Sequence, residues 1–315
     1  MSSAEQTLPA EPTANLRHQP ALCLFLATRP AFLSVTLAGV LLGLACAWRG
    51  GAALHAGNAL LTLVFALVAH AAANVINDFH DAANDAANTE RLYPFTGGSR
   101  FIQNGVLSAA AIGRFGYALL LLVIPAGLWI AAHSGVGLLP IGMAGLLLAW
   151  AYSAPPLKLA SRGLGEFAVA GGWWLIVVGS DYVQRGSYSA MPLLAGLGYG
   201  LMVANLLYIN QFPDAPADAA AGKRTLVVRL GRRRAAAGYG LIALLAALPL
   251  LAGVLLGLLP PAALVSLLAL MPALQAFNQL RQNAEDVPRL LPAIKLTILA
   301  AHLYGALLAA ALLLA

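Results

Sequence analysis

The stretch LLTLVFALVAHAAA, residues 60–73, runs directly into NVINDFHDAANDAAN, residues 74–88. The first stretch is apolar enough to lie in a lipid bilayer, whereas the second contains Asp78, Asp81 and Asp85 within eight residues. Because the whole chain has only 12 acidic residues, three carboxylates at the end of one apolar segment are an unusual concentration of charge. They indicate a polar site at the end of a membrane-spanning helix.

The composition of the 315-residue chain is typical of an integral membrane protein. Hydrophobic residues make up 60% and charged residues 10% of the sequence, whereas soluble domains carry about 25% charged residues. A helix needs about 20 apolar residues to cross a bilayer, and the period-two alternation of a β-barrel is absent. We therefore predict an all-α, polytopic fold with about nine transmembrane helices, at residues 30–48, 54–76, 108–131, 135–153, 164–183, 190–211, 235–257, 261–280 and 290–314.

The chain is expected to divide into two regions. Residues 1–20, MSSAEQTLPAEPTANLRHQP, are polar, contain three prolines and do not resemble a cleavable signal peptide, so we expect a flexible cytosolic tail. Residues 21–315 are expected to form a single transmembrane domain. Cys23 and Cys46 lie in or beside apolar segments without a Cys-x-x-Cys pattern, which predicts packing rather than chemistry. Nothing indicates binding to nucleic acid or to an obligate protein partner.

The basic residues predict the orientation, because cytoplasmic loops are enriched in Lys and Arg. With the amino terminus inside, the outer side receives only Arg49 and Arg185. The inner side receives fifteen basic residues: Arg17, Arg29, Arg91, Arg100, Arg114, Lys158, Arg162, Lys223, Arg224, Arg229, Arg232, Arg233, Arg234, Arg281 and Arg289. We therefore expect a multi-pass protein of the inner (cytoplasmic) membrane with a cytosolic amino terminus. The acidic residues lie mostly on the same side, so the active site should face the cytosol.

The first acidic stretch, residues 77–85, has the regular spacing of a helix face. Asn77, Asp81 and Asp85 are four residues apart, and Asp78 precedes Asp81 by three. If the helix continues through this stretch, these side chains share one face, where like charges repel unless a cation lies between them. Mg²⁺ prefers oxygen ligands and binds through one or two carboxylates together with substrate phosphates. The spacing therefore indicates a magnesium site.

The second acidic stretch, residues 210–218, repeats this pattern after the sixth predicted span. Asn210, Asp214 and Asp218 are again four residues apart, and Lys223 and Arg224 follow closely. Carboxylates that hold a metal, followed by two cations, suit a diphosphate. A single Asp-rich loop at a membrane surface is most often only a solvated loop. Two stretches with the same spacing on the same side make that interpretation the weaker one.

Several motifs resemble the UbiA superfamily of intramembrane aromatic prenyltransferases. These are Asn-Asp-x-x-Asp-x-x-x-Asp at 77–85 and Asp-x-x-x-Asp-x-x-x-Gly-Lys at 214–223, with TRP at 28–30, TGGSR at 96–100 and YSAPPLKLASRGLGE at 152–166. The resemblance extends over most of the chain. It implies a UbiA-like helical bundle that uses Mg²⁺ to transfer a polyprenyl group from polyprenyl diphosphate to a small aromatic acceptor within the lipid bilayer.

The stretches TGGSRFIQNGVLS, residues 96–108, and GKRTLVVRLG, residues 222–231, look most like one branch of that family. This branch prenylates 1,4-dihydroxy-2-naphthoate on the way to menaquinone. Prenylation of 4-hydroxybenzoate for ubiquinone, or of another aromatic substrate of the family, stays open as an alternative. The prenyl chain length depends on a pocket whose shape the sequence does not give.

The resemblance also implies residue roles. One Mg²⁺ is expected on Asn77, Asp81 and Asp85, and a second on Asp214 and Asp218, whereas Asp78 is expected either to bind metal or to orient a basic residue. Catalysis is expected to depend on Asp81, Asp214, Asp218 and Lys223. The expected contacts to substrate come from Arg100, Tyr152, Ser153, Lys158, Arg162, Asn210, Lys223 and Arg224.

Two further features stay open at this point. Glu166 is an intramembrane acid, and such residues are usually functional, but an ion pair with Arg162 four residues earlier explains it equally well. Trp173 and Trp174 are more typical of packing than of a site wall.

A secondary transporter is the alternative of another class, since transporters also keep acids in the membrane. Transport sites tend to lie near the midplane, whereas these acids lie at cytosolic helix ends.

Overall fold

The computed structural model describes residues 10–315, so residues 1–9 of the expected tail lie outside it. In the described part the regular elements are helices, without a strand. The twelve α-helices are α1 Pro20–Ala27, α2 Ser34–Arg49, α3 Ala56–His80, α4 Ala82–Ala87, α5 Ala109–Ser134, α6 Leu138–Ala151, α7 Gly165–Arg185, α8 Ala190–Ala220, α9 Leu226–Leu230, α10 Arg232–Leu255, α11 Leu270–Asn283 and α12 Leu291–Leu314.

The all-α, polytopic fold is confirmed, but the count of nine spans is not. Each predicted span coincides with a helical segment, and seven of these segments in residues 10–315 are long and apolar enough to cross a membrane. The two exceptions are α6 and α7. Helix α6 has 14 residues, which at about 1.5 Å per residue is short of the roughly 30 Å hydrocarbon core. Helix α7 is long enough but carries Glu166, Asp181 and Arg185.

Helix α8 lies at the centre of the bundle, where it contacts α7, α10 and α12. Small residues allow the close approach of α7 to its neighbours. A Cβ atom on Gly43 of α2 would lie 2.5 Å from the carbonyl oxygen of Val177, and one on Gly200 of α8 would overlap the carbonyl oxygen of Ala170. Helices in membranes often associate through such small residues. This packing fixes α7 and α8, which both contribute to the site described below.

Helix α8 continues through Pro213 and Pro216. A proline removes the backbone donor that would bond to the carbonyl four residues earlier. For Pro216 that carbonyl belongs to Phe212, and Arg232 Nε donates to it at 2.8 Å. Arg232 also forms an ion pair with Glu90 at 2.6 Å. The side chain therefore supports the carboxyl-terminal end of α8 in addition to lying at the start of α10.

From residue 11 onward the amino-terminal segment packs on the loop between α4 and α5. The carboxylate of Glu11 pairs with Arg91 at 2.7 Å and accepts a hydrogen bond from Asn104 Nδ2 at 3.0 Å. Arg91 keeps the pKa of Glu11 below its ordinary value against the opposing effect of burial. These partners lie 80 or more residues away in the sequence, so composition alone could not reveal the contact.

Candidate active site

A cavity of about 300 Å³ opens inside the bundle and contains both acidic stretches. Its polar end is lined by the first stretch through Asn77, Asp81, Asn84 and Asp85, and by the second through Asn210, Gln211, Asp214 and Asp218. Its deeper part is lined by apolar side chains that include Phe32, Val35, Leu148, Val203 and Leu206. The cavity is therefore polar at one end and apolar at the other, as an amphiphilic ligand requires.

The first acidic stretch does not form one continuous helix face. Helix α3 ends at His80, Asp81 lies between the helices with φ −97° and ψ 6°, and α4 begins at Ala82. Asp81 Oδ2 accepts a hydrogen bond from Asn77 Nδ2 at 2.7 Å. The backbone change at Asp81 separates its carboxylate from that of Asp78, which the helical spacing had placed on the same face.

Asp78 does not line the cavity. Its carboxylate forms an ion pair with Arg29 and accepts a hydrogen bond from the backbone N–H of Ser99 at 3.2 Å. Of the two roles considered for Asp78, metal binding or orientation of a base, this geometry supports the second. Arg29 lines the cavity, so Asp78 holds a guanidinium at the cavity wall.

Arg29 is a cavity residue that sequence reasoning missed. It adopts the left-handed backbone conformation, with φ 56° and ψ 63°, directly before the turn Pro30–Leu33. Proline disfavours the α-helical conformation in the residue before it, so the chain turns at Arg29 instead of joining α1 to α2. The Arg-Pro pair in the motif TRP, residues 28–30, indicates this turn. The partner carboxylate, Asp78, is 49 residues away in the sequence, so the motif does not predict the ion pair.

Two asparagines, one in the first acidic stretch and one three residues after it, bond to the second stretch. Asn88 Nδ2 donates to Asp214 Oδ1 at 2.5 Å, and Asn84 Nδ2 donates to Asp218 Oδ1 at 2.9 Å. The residue pairs are 126 and 134 positions apart in sequence. The fold thus brings the two sets of carboxylates together at one end of the cavity.

Lys223 lies between the two stretches. Its Nζ is 3.0 Å from Asp81 Oδ2 and 3.4 Å from Asp218 Oδ1. Burial lowers the pKa of Lys223, but the charges of Asp81 and Asp218 outweigh this effect and raise it. The side chain therefore carries a positive charge into the cavity.

The Asp85 carboxyl is only partly compensated by its surroundings. Burial, followed by the negative charge of Asp78, raises its pKa well above the ordinary value, and Arg29 only partly opposes this. Four carboxyls line this end of the cavity, whereas the cations that line it are Arg29 and Lys223. Such an excess of acidic oxygens favours an additional cation.

The donor atoms suit Mg²⁺ bound together with a phosphate ligand. Asn84 Oδ1 and Asn210 Oδ1 are buried oxygens without a hydrogen-bond partner, and both residues line the cavity. Within residues 10–315, no three His, Cys, Asp or Glu side chains form a ready-made metal site. Lys223 and the two asparagine amides hold the carboxylates in their present positions. Because Mg²⁺ uses few protein ligands when phosphate is present, this set fits the ion.

Most basic residues expected to contact diphosphate lie away from the cavity. Arg100 is buried with φ 68°, donates to the carbonyl oxygen of Asp85 at 2.5 Å and lies 3.5 Å from the Glu11 carboxylate. Arg162 donates to the carbonyl oxygen of Pro156 at 2.8 Å. The backbone of Arg224 bonds to Ser161, and Lys158 has φ 44° in the same loop. None of these four side chains, Arg100, Lys158, Arg162 and Arg224, lines the cavity, so their expected contacts to diphosphate stay predictions.

Of the other residues considered from the sequence, some line the cavity and others do not. Tyr152 and Trp173 line the cavity, whereas Ser153 is buried beside it and its Oγ has no hydrogen-bond partner. Trp174 donates to the carbonyl oxygen of Leu193 at 3.0 Å and serves packing. Glu166 does not take up the alternative pair with Arg162, since its hydrogen-bond partner is Gln211.

The chain matches the UbiA prenyltransferase family over residues 32–299 and belongs to that family. The 1,4-dihydroxy-2-naphthoate octaprenyltransferase of Mycobacterium tuberculosis is 31% identical over 90% of this chain and 94% of its own. The protein of the same name from Escherichia coli is 31% identical over 64% of this chain and 67% of its own. The protein is thus a membrane prenyltransferase, and the transporter alternative is set aside.

Solved structures confirm the fold. An apo UbiA homologue from Aeropyrum pernix has a TM-score of 0.69 at 17% identity and covers 87% of this chain and 97% of its own. A UbiA homologue from Archaeoglobus fulgidus bound to DMAPP and Mg²⁺ has a TM-score of 0.57 at 14% identity, with coverage of 90% and 98%. At such identities the similarity shows the fold alone.

Proposed function

We propose that this protein transfers a polyprenyl group from its diphosphate to 1,4-dihydroxy-2-naphthoate in a Mg²⁺-dependent reaction. The observation that carries the proposal is the single cavity that joins both acidic stretches and Lys223 to an apolar interior. A diphosphate with its metal suits the polar end, and a hydrocarbon tail suits the apolar end. Few ligands other than a prenyl diphosphate combine these two properties.

The reaction breaks the bond between the allylic carbon and the diphosphate oxygen, and the electron pair leaves with the diphosphate. A carbon of the aromatic ring forms a new bond to the allylic carbon, and the ring then releases a proton. Mg²⁺, when bound, would supply positive charge against the leaving diphosphate. Asn77, Asp81, Asp85, Asp214 and Asp218 are the residues that would hold it, with Asn84 and Asn210 contributing neutral oxygens.

Lys223 and Arg29 are the protein cations placed to contact the diphosphate. Both line the cavity at its polar end, and both are held by carboxylates of the acidic stretches. Positive charge that is fixed in advance where negative charge develops lowers a reaction barrier without reorganisation of the site. We therefore assign to these two side chains the contacts to diphosphate that the sequence motifs had assigned to five basic residues.

The acceptor is proposed from the relatives. Those from Mycobacterium tuberculosis and Escherichia coli are named for 1,4-dihydroxy-2-naphthoate, whereas other relatives are named chlorophyll synthase. 4-Hydroxybenzoate stays the alternative acceptor.

We further propose an inner-membrane location with the amino terminus and the site on the cytosolic side, on the basis of the distribution of Lys and Arg.

The test is a transfer assay with detergent-purified protein, a polyprenyl diphosphate and a panel of aromatic acids. We expect prenylation with Mg²⁺ that stops in EDTA and returns when Mg²⁺ is restored. 1,4-Dihydroxy-2-naphthoate should give a higher kcat/KM than 4-hydroxybenzoate. Full turnover in the chelator would exclude the metal–diphosphate site, and the reverse order of acceptors would place the protein in another branch of the family.

A further inference from the structure

Glu166 and Gln211 form a buried polar pair between α7 and α8. Gln211 Nε2 donates to Glu166 Oε1 at 2.5 Å, and both side chains are more than nine-tenths buried, at 9% and 7% exposure. The other oxygen of each side chain, Glu166 Oε2 and Gln211 Oε1, has no hydrogen-bond partner. Buried polar atoms are paired in the great majority of cases, so two such atoms in one pair need an explanation.

Packing alone does not account for this pair. The base one turn earlier, Arg162, donates to the carbonyl oxygen of Pro156 instead, so Glu166 has an amide as its partner rather than a cation. Burial of a carboxyl costs free energy that a single neutral hydrogen bond does not repay. An acidic residue that a membrane protein keeps buried at such a cost is a candidate for function.

Gln211 lies at the boundary between the two ends of the cavity. It lines the cavity one turn of α8 before Asp214, which belongs to the polar end, and one turn after Leu207, which belongs to the apolar end. The allylic carbon of a bound prenyl diphosphate is directly bonded to the diphosphate, so it must lie at this boundary. A ring that attacks this carbon must approach it to about 3–3.5 Å.

We propose that Gln211 Oε1 accepts a hydrogen bond from a hydroxyl group of the aromatic acceptor, and that Glu166 is a positioning residue which holds the Gln211 amide in that orientation. This inference rests on the proposed prenyl transfer. An attacking ring gains positive charge, and its hydroxyl becomes a stronger donor as it does so. A hydrogen bond to that hydroxyl therefore strengthens toward the transition state, which raises kcat/KM.

The experiment compares a hydroxylated naphthoate acceptor with its methyl ether, which lacks the donor at that position. Wild-type protein should prefer the hydroxyl form by about one to two decades in kcat/KM, because a site built to bond a hydroxyl discriminates strongly against its loss. Gln211→Met keeps the side-chain length but removes the acceptor oxygen. In this variant the preference should fall to within about threefold, while KM for the prenyl diphosphate stays near the wild-type value.

Glu166 is tested through its effect on Gln211. Glu166→Leu should reduce the hydroxyl preference because the amide loses its anchor, and Glu166→Gln should restore most of it because an acceptor oxygen is retained. A purely structural role would lower yield and thermal stability without changing the ratio of the two acceptors. The matched control is Gln184→Met, since Gln184 is equally buried and bonds to the backbone of His55 at 2.7 Å, away from the cavity.

The outcomes separate this inference from the proposed function. A wild-type protein that prenylates no aromatic acid contradicts the function itself. An active wild type together with a Gln211→Met variant that keeps the full hydroxyl preference contradicts the role of Gln211 and leaves the function standing. If Gln211→Met does not fold, Gln211→Asn withdraws the oxygen by one methylene group and must also lower the preference. An unchanged ratio in Gln211→Asn and Glu166→Leu would overturn the inference.

Discussion

The first acidic stretch, residues 77–85, and the second, residues 210–218, share the spacing Asn-x-x-x-Asp-x-x-x-Asp but fold differently. The first is broken at Asp81 between α3 and α4, and its aspartates meet the cations Arg29 and Lys223. The second stays within α8. Asp218 accepts a hydrogen bond from Asn84 of the first stretch and lies near Lys223, and Asp214 accepts one from Asn88, three residues after that stretch. Equal spacing therefore indicates a shared site without implying equal surroundings.

The largest effect is expected when either stretch loses a central carboxylate. Asp81→Ala and Asp214→Ala should each lower kcat/KM by about a hundredfold or more, because both carboxylates are assigned to the metal and its diphosphate. Steady-state kinetics on equal amounts of folded protein would measure this. The matched control is Asp286→Ala, since Asp286 is a surface residue that pairs with Arg289. A large loss in only one of the two stretches would show that they do not form one site.

The next largest effect distinguishes Lys223 from Arg224, two adjacent cations that the sequence alone assigns the same role. Lys223→Ala should lower kcat/KM by about one to two decades, since a charge-assisted hydrogen bond contributes roughly 1.5–3 kcal/mol and 1.36 kcal/mol corresponds to one decade. Arg224→Ala should stay within about threefold, because the side chain does not line the cavity. Equal losses in both variants would mean that the 222–225 loop rearranges when substrate binds.

A smaller effect distinguishes Arg29, at the cavity wall, from Arg100, which is buried. Arg29→Ala should raise KM for the prenyl diphosphate by about tenfold, whereas Arg100→Ala should change thermal stability more than KM, since it bonds to the Asp85 carbonyl and lies near Glu11. The double variant Arg29→Ala/Asp78→Ala tests whether Asp78 acts through Arg29. Its loss should be no greater than that of Arg29→Ala, and full additivity would instead give Asp78 an independent role.

The smallest effect concerns the arginines at the start of α10. Arg232→Gln should lower the melting temperature in detergent, because it removes a donor to the Phe212 carbonyl and the pair with Glu90. A lost hydrogen bond to a charged group costs about 1.5–3 kcal/mol. Arg234→Gln is the matched control and should leave stability unchanged. If both variants behave alike, the arginines act only through membrane orientation.

Sequence reasoning predicted the helical class, and it grouped the two acidic stretches with Lys223, all of which line one cavity in the structure. The length of the apolar segments predicts helices. The repeated four-residue spacing of Asp81 and Asp85, and of Asp214 and Asp218, predicts that the two stretches act together. Sequence reasoning could not predict which cations of the loops line the cavity, because this depends on the backbone conformation of individual residues. Arg29, Arg100 and Lys158 all have positive φ, yet only the first lines the cavity.

The contacts between the two stretches were equally hidden. Asn84 and Asn88 were not among the predicted site residues, but each bonds to an aspartate more than 120 residues later. Local spacing contains no information about such partners. The same reason explains the pairing of Glu166, for which the neighbour in sequence was considered and the true partner, Gln211, lies on the next helix.

The most direct test of a shared diphosphate site is the binding of a non-hydrolysable prenyl thiodiphosphate to detergent-purified protein, measured by calorimetry with Mg²⁺ and with EDTA. Wild-type protein should bind the analogue tightly only with Mg²⁺, and Asp81→Asn or Asp214→Asn should each remove that metal dependence together with most of the affinity. Equal binding in EDTA and Mg²⁺, or unchanged metal-dependent binding in both variants, would contradict the assignment of the two stretches to one metal–diphosphate site.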